Sequence, residues 1–409
     1  MEILYPRCAG LDVHKESVSA CVLTPGAQAE PDKQIEQFGT TTGELRRLRD
    51  WLGANGVTHA AMESTGVYWK PVFNILESGC QLILVNARHI KQVPGRKTDK
   101  ADCAWIASLL RHGLLQASFV PDPEVRQLRD LCRMRTTLVR ECVQVGNRLR
   151  KVLEDANIKL DSVASDALGV SGRDMILALA QGRDDPAELA ELARGRLRAK
   201  LPELEKALEG QMTAHHRFLL RELMRQLSFL EGQVARFEKQ IQRQMPPFEW
   251  AAELLMTVPG VDRTAACALI AEIGADMSRF ASSRHLASWA GLCPGNNESA
   301  GKRRSGKSHR GNRWIKGVMT EIAWAATRTK NTYSQTQYRK LAGHRGKKRA
   351  LVAVANSLLQ AAWYMLSHRQ TYKDLGAEYL QRLNQKHLER SLIRRLQELG
   401  HKVILEPAA

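Results

Sequence analysis

The first 120 residues alternate short apolar runs with amphipathic ones. GLDVHKESVSACVLT alternates apolar and polar positions around a short turn and predicts two strands. QIEQFGT predicts a third. TGELRRLRDWLGANG spaces its leucines at helical intervals and ends on glycine-containing turn signals. VTHAAMES then predicts a strand, VYWKPVFNILESG a helix ending at Gly79, and QLILVN a short buried strand. A last helix is predicted from Lys100 to Leu115. The order β-β-β-α-β-α-β-α predicts an α/β domain with a mixed sheet over residues 1–122.

From residue 123 to 248 the period becomes helical throughout. VRQLRDLCRMRTTLVRECVQVGNRLRKVLEDANI and LLRELMRQLSFLEGQVARFEKQI repeat apolar residues every three or four positions, the pattern of long antiparallel helices or a coiled coil. Such helices most often mediate assembly, so a homo-oligomer is expected. A third, mostly helical block covers residues 249–371. Its LLMTVPGVDRTAACALIAEIG has a Pro-Gly turn between helical segments and resembles a helix-hairpin-helix, whose turn can present N–H groups to phosphates. Residues 372–409 predict an amphipathic helical tail of unknown role.

Charge changes this picture. The chain of 409 residues carries a net +18, and between Arg279 and Arg369 there are 18 Lys/Arg against two acids, Glu298 and Glu321. Charge so concentrated repels itself unless a polyanion neutralises it, which points to nucleic acid. The start MEILYPRCAGLD lacks the basic-then-apolar shape of a signal peptide, and no apolar run is expected to approach the roughly 20 residues of a membrane span. The expectation is a cytoplasmic protein with no membrane partner. Eight cysteines occur singly, with no CxxC pair, so neither a zinc ribbon nor a disulfide framework is signalled.

Four carboxylates carry the candidate chemistry. Asp12 lies in an apolar strand, where an acid is costly unless its charge is stabilised. Glu63 ends the fourth strand, and Asp99 and Asp102 share one face at the head of the last helix. In a ribonuclease-H-like sheet, strands one and four are central neighbours and the last helix can cross their ends. All four acids could then converge. A hard cation would be needed to offset their repulsion, and oxygen-only ligation suits Mg²⁺, as two ions.

LDVHK, MESTGVYW and RKTDKADCAWIASLL resemble the N-terminal DEDD, RuvC-like domain of the IS110/IS1111 transposases. MTVPGVDRTAACALIAEIG and LASWAGLCPGNNESAGKRRSGKSHRGNRWIK resemble their C-terminal transposase domain. The resemblance implies a transposase of an insertion sequence that cuts and rejoins donor and target DNA. It implies a nucleophilic serine after the Pro of the AGLxP motif, which falls on Ser299, with Ser305 and Ser308 as nearby competitors for the role. It also implies a covalent phosphoserine and a noncoding bridge RNA that pairs with both DNAs. Lys302, Arg303, Arg304, Lys307, Arg310, Arg313 and Lys316 are the expected holders of backbone phosphates. The oligomer is expected to be a dimer or tetramer. The competing expectation is a RuvC-like, metal-dependent Holliday-junction nuclease in which water replaces the serine.

Overall fold

The computed structural model describes residues 2–26, 30–64, 66–86, 102–295, 297–299, 302–306, 308 and 311–404. The chain divides into two compact units, Met1–Val120 and Pro121–Ala409.

In the first unit, β1 (Cys8–Val13), β2 (Ser17–Thr24) and β3 (Asp32–Gly39) form an antiparallel meander. Helix α1 (Thr42–Ala54) leads to β4 (His59–Glu63), and α2 (Trp69–Leu76) to β5 (Gln81–Val85). The unit's last helix is α3 (Asp102–Arg111). The sheet order is β3-β2-β1-β4-β5, with β4 parallel to both β1 and β5. This is the ribonuclease-H-like order, with strands one and four side by side.

Period-two alternation assigns the two sheet faces. Ala9, Leu11 and Val13 of β1 pack with Leu45, Leu48 and Leu52 of α1 and with Val72 and Leu76 of α2. Cys8 of β1, Cys21 of β2 and Ala61 of β4 face the other way, against Cys103, Ala107 and Leu110 of α3. Gly10 makes that second contact close. A Cβ built there would stand 2.1 Å from the Cys103 carbonyl oxygen and 2.3 Å from the Ala107 nitrogen. The backbone of α3 therefore rests directly on β1.

Among its described residues, the second unit is helical apart from one hairpin. Helix α4 (Pro123–Asp155) packs along α6 (Ala214–Gln244), with α5 (Val170–Ala180) beside them. The pair is antiparallel. Arg135 near the start of α4 bonds Glu238 near the end of α6 at 2.6 Å, and Asp155 at the end of α4 meets His216 at the start of α6 at 3.0 Å. Thr213 and His216 close a capping box at the start of α6. Leu149, Leu153, Ile176, Leu179, Leu220 and Leu227 lie in the shared core.

Helices α7 (Glu249–Met256) and α8 (Arg263–Ile273) form the expected hairpin, tied by the bidentate pair Arg263–Glu249 at 2.6 and 2.8 Å. Its turn has a packing role. Gly260 adopts φ +89°, and a Cβ there would stand 2.6 Å from the Ala326 nitrogen of α9 (Arg313–Arg328). The core helix α10 (Lys347–His368) corrects one expectation. By length and composition it is apolar enough to cross a membrane, with mean hydropathy 1.3. The few polar residues that interrupt its apolar positions hid this in the sequence. Half of its most apolar stretch is buried inside the protein, through side chains such as Leu351, Val354, Leu358 and Leu359. Helix α11 (Tyr379–Glu398) forms the tail.

Candidate active site and nucleic-acid face

Three of the four expected acids fall within the described residues, and all three belong to the first unit. Asp99 lies outside the described residues. Asp12 follows Leu11, which pairs with Met62, so Asp12 and Glu63 occupy the next position of the same parallel register. Both lie on the face that α3 covers, because they are two residues beyond Gly10 and Ala61. Asp102 is the first residue of α3, next to Cys103, whose carbonyl sits over Gly10.

Asp12 is about three-quarters shielded and accepts a hydrogen bond from Nε2 of the exposed His14 at 3.1 Å. Oδ1 of Asp102 is shielded from solvent, and Glu63 is half-buried. Burial pushes the Cys103 thiol up, and the Asp12 charge beside it adds to that. Cys8 and Cys21, on the same face, are pushed by burial to about 11 and about 12. These thiols stay protonated and behave as core residues.

The donor chemistry fits a hard divalent cation: carboxylate oxygens only, on one sheet face, beside a helix start. Among the described residues no three of His, Cys, Asp and Glu approach closely enough to cage a metal by themselves. The DEDD pattern names four acids, and the fourth, Asp99, is the one outside that set.

The second unit holds the other expected residues. Asn297–Ser299 forms β6 and Lys302–Ser305 forms β7, an antiparallel hairpin. Ser299 pairs with Lys302 and Glu298 with Arg303, so the backbone register sets the serine beside the basic strand. Arg304 lies on the same strand. Lys307 and Arg310 lie outside the described residues. Arg313 opens α9 and is exposed, and Lys316 follows one turn later. Partial burial lowers Lys316 from its usual 10.5.

The structure adds residues that the sequence pattern did not single out. Glu272, buried in α8, accepts a bidentate pair from Arg133 at 2.7 and 2.8 Å. Its Oε2 also accepts from Nδ2 of Asn312 at 2.6 Å. Arg129 donates to the Ala271 and Glu272 carbonyls at 2.9 and 2.7 Å, and burial lowers its pKa to about 10. Asn312 caps α9 by accepting from the Trp314 N–H at 2.9 Å. One buried acid thus fixes the start of the helix that carries Arg313 and Lys316. Three guanidiniums surround the Trp314 ring, those of Arg133, Arg140 and Arg313, at 5.5, 5.3 and 5.0 Å from its centroid.

Two family models match parts of this chain. A transposase model, that of the DEDD transposases of IS110, matches residues 9–158, and one described as Transposase IS116/IS110/IS902 family matches residues 252–339. The chain is 27% identical to a Pseudomonas aeruginosa protein named probable family 20 transposase, over 81% of this chain and 90% of that one. It is 22% identical to the Coxiella burnetii transposase for insertion sequence element IS1111A, over 90% of this chain and 91% of that one. The Thermus thermophilus RuvC structure matches 27% of this chain and 99% of its own at 14% identity and a TM-score of 0.21. With both halves of the family pattern present and in order, this chain belongs to the IS110 family of transposases, enzymes that cut and rejoin DNA.

Proposed function

We propose that the chain recombines donor and target DNA for an insertion sequence, using a Mg²⁺-dependent carboxylate site and a covalent phosphoserine. The observation that carries the reading is the shared register of Asp12 and Glu63 beneath the helix that Asp102 begins. Asp12, Glu63, Asp99 and Asp102 are the residues that would hold the metal. When bound, Mg²⁺ supplies charge neutralisation at the scissile phosphate. His14 orients Asp12 through its hydrogen bond.

Ser299 is the nucleophile. Its Oγ forms a bond to phosphorus, and the P–O bond to one deoxyribose breaks. The electron pair leaves on the DNA oxygen, which becomes a free hydroxyl on taking a proton, while the serine proton passes to solvent. A phosphoester is conserved, so a DNA hydroxyl can reverse the step and rejoin strands without ATP. Lys302, Arg303, Arg304, Lys307, Arg310, Arg313 and Lys316 hold backbone phosphates, and the guanidiniums around Trp314 extend that face. A bridge RNA supplies sequence choice by base pairing, so the protein reads backbone shape. The long helices support a homo-oligomer, a dimer or tetramer, working in the cytoplasm.

The test is a denaturing gel of full-length protein with donor and target DNA, Mg²⁺ and the element's noncoding flank as RNA. A protein–DNA species is expected with wild type. Ser299→Ala should remove it and lower rejoining at least about 1,000-fold, while Asp102→Asn abolishes cutting with the fold intact. Cutting without any adduct, unaffected by Ser299→Ala, would instead assign a RuvC-like junction nuclease that uses water.

A further inference from the structure

The outward face of α6 carries an arrangement that the packing of its own unit does not use. Leu220, Met224, Leu227 and Leu230 point inward and are buried. On the opposite side Phe218 and Phe229 stand 56% and 60% exposed, two large rings on an otherwise charged face. Between them lie Glu222 and Arg225. The steps from Phe218 to Glu222, Arg225 and Phe229 are four, three and four residues, the spacing of a coiled-coil seam.

Reversed about its midpoint, this stripe sets ring on ring and acid on base. About a point midway between Leu223 and Met224, Phe218 mirrors Phe229 and Glu222 mirrors Arg225. The next mirrored positions outward on this face are the exposed His215 and the half-buried Gly232. Gly232 has nothing within 4 Å of where a Cβ would stand, so no neighbour in the chain requires glycine there. A mid-helix glycine costs about 0.5–1 kcal/mol against alanine, a cost that close approach of a second helix would offset.

We infer that this face binds a second copy of the chain, α6 against α6, antiparallel, across a two-fold axis at that midpoint. Phe218 then packs on the partner's Phe229, and Glu222 meets the partner's Arg225, each contact occurring twice. His215 lies over the partner's Gly232. Within one chain Glu222 and Arg225 already pair at 2.7 Å, and the same charges reach across the seam. A parallel pairing would set glutamate on glutamate and arginine on arginine, so the charges select the antiparallel orientation. The inference rests on the homo-oligomer reading given above and assigns it a surface.

The test is sedimentation of the full-length protein across a concentration series, with circular dichroism as the check on folding. Glu222→Arg and Arg225→Glu should each raise the apparent dissociation constant at least about tenfold. The double variant Glu222→Arg/Arg225→Glu should return to the wild-type value. Under oxidation, a mixture of Phe218→Cys and Phe229→Cys chains should form a cross-linked dimer in excess of either alone. If Glu222→Arg folds and keeps the wild-type oligomer, this pairing is wrong while a homo-oligomer stands. If the wild type sediments as a monomer at every concentration, the pairing and the homo-oligomer reading both fall.

Discussion

Asp12 and Glu272 are both acids set in apolar elements, and the protein treats them differently. Glu272 is buried in α8 and receives two guanidinium bonds from Arg133 and an amide bond from Asn312. Asp12 is more open and, among the described residues, takes one hydrogen bond, from His14. A buried acid that is saturated by fixed donors is a structural joint, and removing one donor leaves an uncompensated charge. An acid at the end of a central strand with an imidazole for company retains oxygen lone pairs for something else. On the proposed reading the difference separates stability from chemistry, and it can be attacked from both sides.

The largest effect on folding is expected at the joint. Arg133→Ala should cost about 3–5 kcal/mol, read by urea unfolding of the second unit, because Glu272 stays buried with its main cation gone. Gly10→Ala should cost about 1–3 kcal/mol in the first unit, since its methyl meets the Cys103 carbonyl. Cutting should fall with it, because α3 must shift and Asp102 with it. Asp12→Asn should change stability by less than about 1 kcal/mol while abolishing DNA cutting. An Asp12→Asn protein as destabilised as Arg133→Ala would erase the distinction between the two acids.

The smallest effect concerns pH. The hydrogen bonds from Arg173 hold the Glu231 carboxyl below its usual 4.5. A depressed carboxyl contributes stability above its unfolded pKa and loses it as pH falls through the folded value. The stability gap between wild type and Glu231→Gln should therefore be full at neutral pH. It should close as pH drops below about 4.5, in thermal melts taken across that range.

Much of the first unit was legible from residue order. Alternation in GLDVHKESVSACVLT and the helical leucines of α1 define elements whose order leaves few topologies. The ribonuclease-H-like reading of that order puts Asp12 and Glu63 on adjacent strands, as the register shows. The family resemblance singled out Ser299, which residue type alone would leave as a loop serine. Glu272 went unremarked although ALIAEIG offers the same signal as LDV, an acid within an apolar run. Its partners sit 139 residues away on α4 and 40 residues away at Asn312, and no local pattern reports such distances. Trp314 was missed for a similar reason, since two of its three guanidiniums come from another helix.

The shared register of β1 and β4 makes the proposed carboxylate site a matter of parity. Glu63 faces α3 because it lies an even number of residues beyond Ala61, as Asp12 lies beyond Gly10. Loss or gain of a single codon between Ala61 and Glu63 would leave the composition of β4 almost unchanged and turn the glutamate to the opposite side of the sheet, among the leucines of α1. Indels in this strand are thus judged by whether they are odd or even before they are judged by what they contain.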